Sequence, residues 1–179
     1  MSGAEDVVAE RREGTAPDGV PTRIGQVAML RHAGDREEAR RRFLLLWTEV
    51  GEHGDPLHRC TLAHYLAGTH DDPGDALAWD LRALTAAEEV TGDRPDGGEG
   101  SPAVRALYPS LHLRLAAGYA RLGRPDAART HLQRARSAAR ALSGDRYGEG
   151  VREAVRRLET LLGEDGSPPD GRGRPGQHP

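Results

Sequence analysis

SLHLRLAAGYARLGRPDAARTHLQRARSAA, residues Ser110 to Ala139, is the stretch on which the fold turns. Ala128, Leu132, Ala135, Ala139 and, just beyond it, Leu142 step by four and three, the spacing of one apolar stripe along a 3.6-residue helix. Pro125 stands where a helix tolerates proline best, at its first position, directly after the turn Gly123-Arg124. Small side chains at Ala116, Ala128 and Ala135 let two helices approach closely, and Tyr119 and Leu132 fill the space between them. Gly123 permits the sharp reversal that joins the two helices.

The same grammar extends outward in both directions. Asp55-Pro56, Asp72-Pro73 and Ser101-Pro102 each set an N-cap residue before a proline, and Asp35 with Glu38 has the form of a capping box. Ala39, Phe43, Leu46 and Val50 make one stripe, Leu77, Leu81 and Leu84 a second, and Val151, Val155, Leu158 and Leu162 a third. No segment alternates with the period of a half-buried strand. The spacing predicts an all-α chain of about seven helices, over 20–32, 36–51, 56–68, 73–90, 102–122, 125–142 and 145–162. Pro109 is expected to kink or restart the fifth. Residues 1–19 and 163–179 lack the apolar content to offset ordering entropy and are expected to be disordered tails of a helical domain spanning 20–162. Thr91 to Gly100 reads as a loop.

Helix pairs joined by tight turns invite a search for repeats. Leu115-Ala116, Tyr119, Gly123, Ala128, Leu132 and Ala135 stand in the register of the tetratricopeptide repeat (TPR), which this unit resembles. A second unit with Gly34 as its turn places Val27, Leu30, Ala39, Phe43 and Leu46 at matching positions. In a third, Leu62-Ala63 and Leu66 match the first helix, while Leu77, Leu81 and Leu84 match the second if the turn 69–75 carries two extra residues. The resemblance covers 21–142 and implies an α-solenoid of antiparallel helix pairs, three degenerate repeats closed by a capping helix.

Composition narrows the function classes. The 179 residues are 36% hydrophobic and 30% charged, and the net charge is -3. All 25 basic residues are arginine, and asparagine is absent as well, the bias of a GC-rich bacterial genome. Twenty-eight acids interspersed with those arginines leave no whole-chain cationic field, so direct nucleic-acid binding is not expected. No apolar run is long enough for a membrane span, and the first ten residues carry three acids and no apolar signal-peptide core. With Cys60 the one cysteine, the expected compartment is the reducing cytoplasm. The chain is expected to be a monomer or a weak homodimer.

Reactive constellations are sparse. His53, His58, His64 and His70 cluster with Cys60, Asp71 and Asp72, and Cys60 and His64 share a helix face at i, i+4. His58 and Cys60 are about 200° apart around that helix and cannot reach one ion. A metal set would be Cys60 and His64 with His112 from a distant helix, and Cys60 becomes a nucleophile only if His64 lowers its pKa. No GxSxG, Walker or GxGxxG motif occurs. Trp79 lies off the Leu77/Leu81/Leu84 stripe and is expected to pack on the next repeat rather than face a ligand, and Arg40-Arg41-Arg42 reads as a solvated face.

The TPR resemblance implies a concave groove lined by the first helix of each repeat, holding a peptide or helix of a partner protein. Its groove positions fall on Arg31 and His32, on Cys60 and His64, and on Leu113, Arg114, Ala117 and Arg121. Guanidinium groups favour an acidic or carboxylate-bearing segment. The carboxylate-clamp branch of the family uses Lys and Asn at several of these positions, and this chain has neither. The expected function is therefore a non-catalytic scaffold or adaptor without a cofactor. The alternative is a small-molecule pocket or metal-assisted enzyme between the middle helices, using His58, Cys60, His64, Asp80 and His112.

Overall fold

In the computed structural model, residues 19–92 and 102–164 are described. They form seven helices and, among the described residues, no strand. The helices are α1 (Gly19–His32), α2 (Arg36–Val50), α3 (Pro56–Ala67), α4 (Pro73–Gly92), α5 (Pro102–Arg121), α6 (Pro125–Ala139) and α7 (Arg146–Glu164). The fold is all-α. Most of both expected tails, most of the loop 91–100 and the Ser101 cap lie outside the described residues.

Capping accounts for most of the boundaries. Asp55 accepts a hydrogen bond from the His58 N–H at 3.0 Å, and Asp72 one from the Asp75 N–H at 2.9 Å, each ahead of its proline. Asp35 accepts from the Glu38 N–H at 3.4 Å. Only this half of the capping box forms, because Glu38 turns its carboxylate to Arg41 and Arg42 instead. Gly34 and Gly123 sit at φ 99° and 66°, backbone that L side chains rarely adopt, which is why glycine holds both hairpin turns.

The chain divides into two compact units, the second beginning at Arg105. In the first, α1 packs on α2 and on α3, α2 on α3, and α3 on α4. Its core joins Ile24, Val27 and Ala28 to Ala39, Phe43 and Leu46 and to Leu62 and Leu66. Phe43 is fully buried and stacks on Tyr65 with ring centroids 5.2 Å apart, and Trp47 meets Trp79 edge-on. Trp79 thus packs on α2, in the preceding helix pair rather than the next one. In the second unit, Ala116 of α5, Ala128, Leu132 and Ala135 of α6, and Val155 and Leu162 of α7 form the core.

Two expectations change. The leucine stripe of α4 does not face inward as a set: Leu84 is buried, but Leu81 is 39% exposed. The buried side is Asp80, Ala83, Ala86 and Ala87. Small residues there and at Cys60, Ala63 and Ala67 of α3 let α3 and α4 approach closely, and close approach selects alanine over leucine. The sixth helix ends at Ala139, and 140–142 continue as tight turns in which the Ala141 and Leu142 N–H groups reach back three residues. Helix α5 passes Pro109 without restarting. Near that proline, Tyr147 donates to the Ala106 carbonyl at 2.8 Å and Ser110 to the Leu107 carbonyl at 2.9 Å.

Candidate functional site

The residues expected to line a groove in the first unit fall on α1 and α3. The Arg31 guanidinium lies over Gly68 at the carboxyl end of α3, so near that a Cβ at Gly68 would stand 3.2 Å from it. A cation is favoured there by the exposed carbonyl end of the helix. His32 is exposed and bonds through Nδ1 to the Ala28 carbonyl at 2.7 Å. His64 is half-buried, its ring edge-on to Tyr65. Cys60 departs from the expectation: it is wholly buried, so it cannot line a groove open to a partner. Burial also pushes its thiol up to about 11, opposite to the activation a nucleophile needs.

In the second unit, Leu113, Arg114 and Ala117 are half-buried and Arg121 is exposed. They recur at three- and four-residue spacing along one side of α5, and Leu111, Leu115 and Ala116 are buried on the other. The side chains therefore form one partly exposed strip that starts at Leu113, which also packs against the core, and ends at Arg121.

The residues of the metal or enzyme alternative are divided between the two units. His58 stays at the amino end of α3, its ring 3.8 Å from Asp55, and Asp80 is buried in α4 at 3% exposure. Cys60 and His64 belong to one unit and His112 to the other. Among the described residues, no group of three or more His, Cys, Asp or Glu side chains is arranged to hold a metal ion.

His112 instead meets a partner that its position in the sequence did not suggest. Its Nδ1 lies 3.0 Å from Nδ1 of His131 on α6, so one imidazole donates and the other accepts. His131 stacks on Tyr119 at 5.4 Å, and Tyr108 lies 6.0 Å from His112 on the far side. Burial, then the neighbouring His131, then Arg134 drive the His112 pKa down to about 4. Burial and Arg134 lower that of His131 as well. The pair is neutral at pH 7.

Two further features escaped the sequence reading. A cleft of about 740 Å³ opens among α2, α3 and α4, with Trp47 and Leu81 beside Arg59, Arg82, Glu89 and His53. Arg59 is bound there to Glu89 at 2.5 Å, and the Arg82 guanidinium lies 4.8 Å above the Trp79 ring. The second feature is a partition of charge. Residues 19–92 carry eight arginines against twelve carboxylates, and residues 105–164 carry twelve against six, net -4 and +6. Summing charge by segment would have revealed it, since the net of -3 conceals both. Compared with known families, curated proteins and solved structures, the chain matches none of them.

Proposed function

We propose that the protein is a non-catalytic adaptor of TPR-like helix pairs that holds an acidic or carboxylate-bearing segment of a partner protein. The observation that carries this reading is the partly exposed strip Leu113, Arg114, Ala117 and Arg121, set in a unit of net charge +6. Arginine forks pair carboxylates bidentately, and surrounding positive charge speeds the encounter with an anionic chain. The packing of α1 against both α2 and α3 supports the repeat reading, because stacked repeats bring their first helices side by side. No described helix is long and apolar enough to cross a membrane.

The test is titration of a fluorescent glutamate-rich peptide into the wild type and into Arg114→Ala/Arg121→Ala. Binding by the wild type, lost in the double variant at nearly unchanged melting temperature, supports the strip. Equal affinity in both refutes it. A second reading, a small-molecule site, is favoured by the α2–α4 cleft alone. Trp47 lines that cleft, so ligand entry would register as a change in tryptophan emission.

A further inference from the structure

Helices α6 and α7 run antiparallel along a seam that opens into two dimples. One, of about 290 Å³, lies over Leu132 and Leu162, and the other, of about 220 Å³, over Ala139 and Val155. Arg136 and Glu159 line both, joined at 3.3 Å, and so mark the ridge between them. Leu132 and Ala139 on α6, like Val155 and Leu162 on α7, are seven positions apart. At helical rise that separates the dimples by about 10 Å, the distance between positions i and i+7 of a docked helix.

The rim is cationic. Arg129 borders the first dimple, and Arg140, Arg152 and Arg156 border the second. Arg152 is committed to the fold, because its guanidinium donates to the carbonyls of Ala139, Leu142 and Ser143 at 3.1–3.3 Å and closes the end of α6. The others are less committed. Arg129 pairs with exposed Asp126 of its own helix and donates at 3.5 Å to the Leu162 carbonyl of α7, and Arg156 pairs with exposed Glu153; such surface contacts exchange readily. Arg140 forms no ion pair among the described residues.

We infer that this seam is a docking site for an acidic amphipathic helix of another protein. Two apolar side chains seven residues apart sit in the dimples, and flanking carboxylates meet Arg129, Arg140 and Arg156. Charge complementarity selects the occupant. A nucleic acid fits less well: Glu159 lies in the middle of the seam, apolar side chains floor it, and no aromatic ring lines either dimple for base stacking. The site is separate from the α5 strip and does not depend on it.

The experiment uses the full chain and a synthetic helical peptide with two leucines seven residues apart, flanked by glutamates. Fluorescence anisotropy is measured at low salt, with methyl NMR to locate the bound peptide. The expected result is binding that shifts the Leu132 and Val155 methyl signals. Affinity falls at least about tenfold in Arg129→Glu/Arg140→Glu and with a peptide carrying serine for leucine, and is unchanged in Arg114→Ala/Arg121→Ala. Circular dichroism verifies that the reversed variant is folded. No binding by the wild type, equal binding by the reversed variant, loss in the α5 variant, or displacement of the peptide by a mixed-sequence DNA duplex would each overturn the inference.

Discussion

Protonation of the His112–His131 pair is the perturbation whose size follows most directly from the structure. His112 is 8% exposed, and its pKa falls from 6.5 to about 4 on folding. A histidine depressed in this way gives its full stabilisation above pH 6.5 and loses it as the pH falls toward 4, because the unfolded chain takes the proton first. At pH 5 the loss from a shift of this size is about 2 kcal/mol, and solvent screening at the half-buried His131 trims it to between about 1 and 2 kcal/mol. His131, also lowered, adds to the loss in the same direction. Geometry gives the reason: a proton on the accepting nitrogen would set two N–H groups against each other across 3.0 Å. The assay is urea unfolding at pH 7.5 and pH 5.0, followed by far-UV circular dichroism. Tryptophan emission separately reports the first unit, which holds both Trp47 and Trp79. His112→Gln keeps a hydrogen-bonding group but has no proton to gain, so its stability should fall between the two pH values by about 1–2 kcal/mol less than that of the wild type. Parallel losses in the two proteins would refute the reasoning.

Other outcomes follow from single contacts. Phe43→Ala removes a fully buried ring stacked on Tyr65 and should cost about 3–5 kcal/mol, read as a lower urea midpoint by tryptophan emission. Cys60 should resist an aromatic disulfide reagent at pH 8 and react fully once urea unfolds the chain; rapid labelling of the native protein would contradict its burial. Gly148→Ala and Gly150→Ala should have opposite signs in thermal melts. A Cβ at Gly148 would stand 2.1 Å from the Ser143 carbonyl oxygen, a clash worth about 1–3 kcal/mol. At Gly150 nothing lies within 4 Å, and alanine should stabilise α7 by about 0.5–1 kcal/mol.

Local chemistry made the helices legible. Asp55-Pro56 and Asp72-Pro73 form caps whatever surrounds them, and Gly34 and Gly123 adopt the backbone that their turns demand. What the sequence left open depends on neighbours distant in the chain. Two apolar sets compete on α4, and leucine is the greasier, yet the fit to Cys60, Ala63 and Ala67 of α3 buries the alanines. His112 and His131 are nineteen residues apart on different helices, and no spacing rule pairs them. Cys60 and His64 do share a face, as their spacing requires. Whether that face is open or closed is decided by the packing of α3, and at Cys60 it is closed.

Arg152 ties α7 to the end of α6, and the tie has a consequence for any shortened form of the chain. Without α7, the row Ala128, Leu132, Ala135 and Ala139 would lose the Val155 and Leu162 side chains packed against it. Two copies bearing that naked row would be sticky toward each other. Proteolytic loss of α7 is therefore expected to promote self-association of what is left.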